Sequence, residues 1–264
     1  MSTTAEPSPG VQTAIRDLIL VLADSKRLLG MRYAGWILGA PELEAGIACA
    51  SMAQDEWGHG RLLYALLKDF GDDVDRIEHA REPDEYRNME VLDRAPETWA
   101  EFVALNALAD AAMTIQFEAL RQSTYTPLRQ RVDKVLEEEQ FHAAHAAAWL
   151  RRLAQGGPAA RAAIHEAVRA CLPPVLCWFG GDTRRSRSLV EASVLDAIGS
   201  TSRARFVERI APLLRELAAG EAVASLEPDF TDFDEATRRT RRGGPDGDTI
   251  ARIRGDRNRA FLMD

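Results

Sequence analysis

Apolar residues recur every three or four positions along four long stretches of the chain, which is the spacing of one face of an α-helix. Almost no stretch alternates apolar and polar residues as a β-strand does. Gly39, before Pro41, and Gly71 follow the first two stretches, as expected where helices end. The predicted helices span Thr13–Leu38, Pro41–Phe70, Glu97–Gln122 and Pro127–Ala154. This pattern predicts an all-α bundle.

Charged side chains interrupt the apolar stripe of each predicted helix near its middle. The second helix carries Glu56 and His59, and the fourth repeats the same Glu-x-x-His spacing with Glu139 and His142. This spacing places a carboxylate and an imidazole on one helix face, about one turn apart. One such pair alone is typical of an exposed helix surface, so the repetition is the informative feature.

The third and first helices each add one charged residue to the same level, Asp110 and Lys26. A lone aspartate in a stripe is typical of a hydrogen bond between helices, but several buried carboxylates require a cation among them. Two Glu-x-x-His pairs on facing helices are how ferritin-like bundles hold metal ions. An oxygen-rich ligand set favours iron or manganese over zinc. We therefore predict a ferritin-like four-helix bundle with a metal site in its core.

Composition restricts the possible partners. The chain has 264 residues, 46% hydrophobic content and a net charge of −8, and no basic block of the kind that binds nucleic acid. Its three cysteines lack metal-knuckle spacing and indicate reduced thiols rather than a disulfide framework. The N-terminus has no apolar signal core, and no apolar run is long enough to span a membrane. We expect a cytoplasmic protein.

The remainder of the chain is less regular. Residues 72–96 mix charges with prolines and predict a long surface excursion, and further helices are expected at Ala159–Ala170 and Leu189–Leu217. Pro173-Pro174 and Gly180-Gly181 indicate turns between these helices. We predict a disordered N-terminus at 1–10, a ferritin-like domain at 11–220 and an irregular tail at 221–264, which either wraps the bundle or extends into solvent.

Several motifs resemble the phenylacetate-degradation oxygenase family, whose A-type and C-type subunits share a ferritin-like fold. Residues 55–60 read Asp-Glu-Trp-Gly-His-Gly and are similar to the A-type Asp-Glu-Ala-Gly-His-Gly, while residues 138–142 are similar to its Glu-Glu-Ser-Phe-His. Residues 109–112 correspond to Val-Asp-Gly-Ala, and likeness continues through 178–180 and 227–230. The opening half of the first helix and the start of the second, residues 40–44, are closer to the C-type subunit, which lacks the metal ligands. Because this chain keeps them, we prefer the A-type assignment.

The resemblance implies an oxygenase with two iron ions that epoxidises the aromatic ring of an acyl-CoA. Its partners would be an iron–sulfur flavoprotein reductase and a related structural subunit, in a homo- or hetero-oligomer. The implied iron ligands are Glu56, His59, Asp110, Glu139 and His142.

Lys26 departs from the family pattern, since the catalytic subunit supplies a glutamate at this position. Asp17 and Asp24 lie about half a turn away around the helix and do not replace it. Three outcomes stay open: two metal ions, one ion with Lys26 paired to a freed carboxylate, or no metal with Lys26 holding the acids together. The last outcome corresponds to a structural or regulatory subunit. Iron storage is a weaker alternative.

Two groups of arginines and one further histidine are also candidates for a functional role. The arginines at 184, 185, 187 and within 238–242 are candidates for contacts with CoA phosphates, although such residues are more often solvated. His145 lies one turn beyond His142, and we interpret it as a surface histidine in preference to a residue that supports the metal site.

Overall fold

The chain is all-helical, as predicted. The computed structural model describes residues 7–217, 228–240 and 243–261, and no β-strand occurs within those ranges. The α-helices are α1 Pro9–Ala34, α2 Leu43–Leu66, α3 Val74–His79, α4 Trp99–Leu105, α5 Ala111–Glu118, α6 Thr126–Ala154, α7 Pro158–Trp178, α8 Arg184–Glu191, α9 Gly199–Glu216 and α10 Gly247–Arg254. Among the described residues, no helix is long and apolar enough to cross a membrane.

Four helical segments surround the core: α1, α2, α6 and the consecutive α4 and α5. Their apolar stripes point inward, and Leu22, Cys49, Val103 and Val132 are at most 1% exposed. Burying each large aliphatic side chain contributes about 1.5–3 kcal/mol. The charged residues that interrupt the four apolar stripes are therefore buried in the same interior.

The first helix is as long as predicted but begins and ends four residues earlier. It begins at Pro9, where the Ser8 hydroxyl accepts a hydrogen bond from the Val11 amide, and it ends at Ala34 rather than Leu38. Residues 35–40 form turns that place Trp36 against the Trp99 ring, with centroids 5.4 Å apart. Both rings are partly buried and pack against the core. Residues 1–6 of the predicted disordered N-terminus lie outside the described residues.

The third predicted helix, Glu97–Gln122, is wrong as a single α-helix. It begins at Trp99 with Thr98 as its cap, and Asn106–Asp110 forms a π-helical turn between α4 and α5. A π turn adds one residue per turn and rotates the side chains that follow. Asp110 is the last residue of the π turn, so the direction of its side chain depends on that turn. The second and fourth helices were predicted closely.

The C-terminal helices differ from the prediction at two places. Pro173 and Pro174 lie inside α7, which continues to Trp178, so the predicted turn there is wrong. Pro173 is exposed, while Val175 and Trp178 on the other face are buried. The predicted helix Leu189–Leu217 is two helices, α8 and α9, separated by a turn in which Ser193 has φ 54°.

The segment between α2 and α4 covers α1 rather than extending into solvent. It contains α3 and places Tyr86, Met89 and Leu92 in the buried interior. Part of the tail packs over this segment, since the Arg239 guanidinium bonds to Asp93 at 2.6 Å. Residues 221–227, 241–242 and 262–264 of the predicted tail lie outside the described residues.

Candidate metal centre

Four of the predicted site residues converge in the core. Ligand-type atoms of Glu56, Asp110, Glu139 and His142 all lie within 4.8 Å of one another, and the four residues are buried. Glu56 comes from the middle of α2, Asp110 from the end of the π turn, and the last two from α6. Residues from the apolar stripes of three separate helical segments thus meet at one point, as their helical spacing predicted.

Lys26 occupies the space between the carboxylates. Its side chain is fully buried, and Nζ lies 2.8 Å from Glu56 Oε1 and 2.5 Å from Glu139 Oε1. Asp110 Oδ1 is 3.6 Å away. The ammonium group is therefore a cation at the centre of the cluster. The charged end of Lys26 does not reach water.

The two imidazoles lie on different sides of the carboxylates. His142 Nδ1 is 3.1 Å from Asp110 Oδ2 and 3.8 Å from Glu139 Oε2, the oxygens that face away from Lys26. It is also 3.3 Å from Glu56 Oε1, which Lys26 binds as well. His59 Nδ1 is 3.6 Å from Glu139 Oε1, the oxygen bound by Lys26. Asp110 and Glu139 thus each offer one oxygen to the lysine and the other to the His142 side. His59 lies beside the lysine.

Each histidine is held by the acid that precedes the glutamate of the opposite motif. His142 Nε2 lies 3.3 Å from Asp55 Oδ2, and His59 Nε2 lies 2.6 Å from Glu138 Oε2. An outer carboxylate of this kind fixes the ring orientation and leaves Nδ1 toward the centre. These roles of Asp55 and Glu138 were not predicted. The signal was present, because both motifs have an acid directly before Glu-x-x-His.

The buried charges shift the pKa values of the cluster residues in different directions. Burial acts to lower the pKa of Lys26, but Glu139, Glu56 and Asp110 outweigh it and keep the amine charged. Burial, together with repulsion from Asp110, raises the pKa of Glu139 well above its usual value. For Asp110, His142 and Lys26 outweigh burial and hold its pKa far below the usual range.

The two histidines titrate in opposite directions. Burial and the Lys26 charge lower the pKa of His59. For His142, burial acts in the same direction but Asp110 outweighs it and raises the pKa to about 12. Without a bound metal ion, His142 is therefore an imidazolium at neutral pH, whereas His59 is neutral.

Some polar atoms at the centre make no hydrogen bond. Within the described ranges, Glu56 Oε2, Asp110 Oδ1 and His59 Nδ1 are buried and accept or donate no hydrogen bond. Such atoms are costly unless a ligand satisfies them. On the His142 side, the donors suit one divalent transition metal ion. A second ion beside His59 does not fit, because Lys26 holds the Glu56 and Glu139 oxygens there.

A hydrogen-bonded chain leads outward from Asp110. Tyr33 Oη donates to Asp110 Oδ2 at 2.7 Å, and Asn106 Nδ2 donates to Tyr33 Oη at 2.9 Å. His145 Nδ1 lies 3.0 Å from Asn106 Oδ1. The interpretation of His145 as a surface histidine is wrong, since the residue is half-buried and supports this chain. Burial and the nearby His142 lower its pKa to about 4.

An apolar pocket opens onto the centre. It has a volume of about 230 Å³, and Asp110, Thr114 and Glu139 lie at its inner end. Ala143, Ala146, Ile210 and Leu213 from α6 and α9 form much of its wall. The pocket reaches Asp110 and Glu139, the two residues whose outer oxygens face His142.

The acids excluded from the site by periodicity lie elsewhere. Asp24 is buried against Arg81 and Tyr64, and Asp17 pairs with Arg87 at 2.5 Å. The proposed CoA-binding arginines do not form one group: Arg185 and Arg238 line a common cavity, while Arg184 and Arg187 are exposed. Arg241 and Arg242 lie outside the described residues.

The fold and the buried carboxylate–histidine cluster define a helical bundle of the ferritin-like class. Residues 1–222 match the family described as "Phenylacetic acid catabolic protein". The chain belongs to this family.

Two relatives from Escherichia coli (strain K12) show the likeness. The chain is 25% identical over 222 residues to the A-type subunit of 1,2-phenylacetyl-CoA epoxidase, covering 81% of this chain and 72% of that protein. It is 26% identical over 151 residues to the C-type subunit of the same epoxidase, covering 56% of this chain and 61% of that protein. These identities do not distinguish the two types, so the A-type preference stays a prediction. Both relatives are subunits of one epoxidase.

Proposed function

We propose that this chain is the metal-binding subunit of an oxygenase complex that acts on an aromatic acyl-CoA, with one iron ion on the His142 side of the centre. Lys26 takes the place of a second cation. The observation that carries the proposal is the division of the carboxylate oxygens: Lys26 holds one set, and Asp110 Oδ2 and Glu139 Oε2 face His142.

Charge supports one ion rather than two. Three carboxylates oppose the single charge of Lys26, so one divalent ion makes the centre neutral when His142 is unprotonated. A second divalent ion would leave a large positive excess in a buried site, which is costly. Asp110, Glu139, His142 and Glu56 would hold the ion, and His59 would remain next to Lys26.

The surrounding residues suit chemistry on an apolar substrate. Bound iron would supply dioxygen activation. Asp55 holds the His142 ring and Tyr33 fixes Asp110. The alanine-lined pocket reaches Asp110 and Glu139, and an aromatic ring fits its volume. The CoA portion would extend beyond α9. Electrons would come from a separate reductase, and a related structural subunit would complete a cytoplasmic complex.

Metal analysis of the charge-reversal variant Lys26→Glu tests the proposal. Anaerobic titration with ferrous iron is expected to give about one equivalent in the wild type and about two in Lys26→Glu, because the variant restores a fourth carboxylate. Lys68→Glu, with the same charge change at an exposed site on the segment after α2, is the matched control and should behave as wild type. Two equivalents in the wild type would refute the single-ion centre.

A metal-free structural subunit is the second candidate. One specific feature favours it: with Glu139 protonated and His142 charged, the cluster is neutral without any ion. In that case the wild type binds less than a tenth of an equivalent of iron, and binding appears only in Lys26→Glu. The same titration therefore separates the two candidates.

A further inference from the structure

A second cavity lies where the first half of α1, the end of α5, α8 and the segment 233–238 meet. Its walls include Leu18, Gln116, Arg185, Ser202, Phe233 and Arg238, and its volume is about 50 Å³. A buried water needs roughly 10–15 Å³ by this measure, so the cavity accommodates a few water-sized groups. It has no part in the metal centre.

Arg238 brings an unmatched positive charge to this cavity. Its Nη1 donates to Gln116 Oε1 at 2.7 Å, and its guanidinium lies 5.1 Å from the Trp178 ring. No carboxylate within the described ranges pairs with it. Burial and the neighbouring Arg185 lower its pKa to about 10, which leaves it charged at neutral pH. Its φ of 53° is a left-handed conformation that non-glycine residues rarely adopt.

Gln116 provides unused hydrogen-bond donors beside that charge. The residue is 2% exposed, and its Nε2 has no partner in the part of the chain that the structure describes. Since arginine has only donors, the amide oxygen must face Arg238, and this fixes the orientation of the amide. Two N–H groups therefore remain available to a ligand in the cavity.

The acids at the cavity are already engaged. Asp17 pairs with Arg185, with Arg87 at 2.5 Å and with Arg16 at 3.1 Å. Glu235 Oε2 accepts a hydrogen bond from the Thr183 hydroxyl at 2.8 Å. Neither serves as the counter-ion of Arg238. A largely enclosed guanidinium without a counter-ion is unfavourable, and an anion would remove this cost.

We propose that this cavity binds one small oxyanion of phosphate or carboxylate size between Arg238 and the Gln116 amide. The anion neutralises Arg238 and fastens the segment 228–240 to α1 and α5. Only a small anion, or the terminal phosphate of a larger ligand, fits the volume. This inference does not depend on the proposed oxygenase activity or on metal binding.

Calorimetric titration of the full chain with inorganic phosphate, at constant ionic strength, tests the site. The wild type is expected to bind one phosphate and to gain several degrees in Tm. Arg238→Gln should weaken binding at least tenfold. Arg184→Gln removes the same charge from an exposed position of α8 outside the cavity, and should bind within twofold of the wild type. No phosphate binding by the wild type, or equal binding by Arg238→Gln, would overturn the proposal.

Gln116→Glu tests the same site in the opposite direction and does not require Arg238 to be removed. A carboxylate at this position supplies an internal counter-ion, so phosphate should no longer raise the Tm, and the phosphate-free Tm should match or exceed that of the wild type. A Gln116→Glu protein that keeps the full phosphate response would contradict the proposed binding residues.

Coenzyme A, which carries a terminal phosphomonoester, distinguishes the source of the anion. If coenzyme A binds the wild type and this binding is lost in Arg238→Gln, the site receives the phosphate of a larger ligand. If inorganic phosphate binds and coenzyme A does not, the site takes a free anion. Each of these two results supports the proposed oxyanion site. If neither ligand binds, the proposal is wrong.

Discussion

Lys26 shows how one side chain can alter a metal centre while its surroundings stay in place. Its ammonium group contacts both Glu56 and Glu139, which approach from different helices. A cation must occupy that position if both carboxylates are ionised, and an ammonium group on a fully buried side chain meets the requirement without exchange with solvent. The two histidines then differ: His59 Nδ1 lies 3.6 Å from the Glu139 oxygen that Lys26 holds, while His142 Nδ1 faces the Asp110 and Glu139 oxygens that Lys26 leaves open.

Metal binding at this centre is expected to release protons. Because His142 has a pKa of about 12 without metal and the pKa of Glu139 is also raised, a divalent ion must displace at least one proton near neutral pH. Affinity should therefore rise about tenfold per pH unit for each proton released. Calorimetry of iron binding in buffers with different ionisation enthalpies counts these protons. An affinity that does not change between pH 6 and 8 would contradict the expected protonation.

Tyr33 provides a second prediction at this scale. Tyr33→Phe removes the donor to Asp110 and leaves Asn106 Nδ2 without the Tyr33 oxygen as acceptor, in a fully buried position. We expect a loss of about 1–3 kcal/mol in the free energy of unfolding, measured by denaturant titration. Tyr125→Phe is the matched control, since its hydroxyl bonds to Asp69 near the surface, and should cost about 0.5 kcal/mol or less. Equal losses would show that the buried hydroxyl has no special role.

At the scale of elements, periodicity predicted what a regular helix determines. It placed Lys26, Glu56 and Glu139 on inward faces, because each lies within an uninterrupted α-helical stretch. It could not predict the π turn that ends at Asp110, since a single added residue leaves no mark in a pattern of mostly apolar residues. An acid directly precedes each Glu-x-x-His motif, but the choice of His142 as the partner of Asp55 depends on how two helices are placed relative to each other.

The prolines of α7 show that burial of the residues after them can outweigh the tendency of proline to end a helix. Proline inside a helix costs about 3 kcal/mol, yet α7 continues because Val175, Leu176 and Trp178 are buried beyond it. Pro173→Ala should therefore leave the fold intact and raise the Tm, because it restores a backbone donor. A true turn at this position would instead lose stability. Val175→Ala, which shortens a buried side chain of the same helix, should cost about 1–3 kcal/mol in denaturant unfolding.

At the scale of the whole molecule, successive layers separate the centre from solvent on the α1 side. The segment between α2 and α4 covers α1, and the tail then lies on that segment. Arg32 joins the layers: it donates to the Leu92 carbonyl at 2.7 Å and to the Thr249 hydroxyl at 2.8 Å. The pocket wall formed by α9 lies on another side of the bundle, so access to the centre and its burial depend on different parts of the chain.

The outer layer depends on Arg239, which leads to a prediction for the tail. Its guanidinium bonds to both Asp93 oxygens, at 3.1 and 2.6 Å, and to the Asn88 carbonyl at 2.9 Å. Arg239→Ala leaves Asp93 without this partner and should weaken docking of the tail by about 3 kcal/mol. Amide hydrogen exchange at Asp234 and Thr240 should then accelerate about a hundredfold, with little change in α6.

Arg252→Ala is the appropriate control, because Arg252 forms an exposed ion pair with Asp248 on α10 and its substitution removes the same charge. Its exchange pattern should stay close to that of the wild type, since exposed pairs contribute about 0–1 kcal/mol. If Arg239→Ala accelerates exchange in α6 as strongly as in the tail, the outer layer is part of one cooperative unit with the bundle. If neither region changes, the Arg239 contacts do not hold the tail in place.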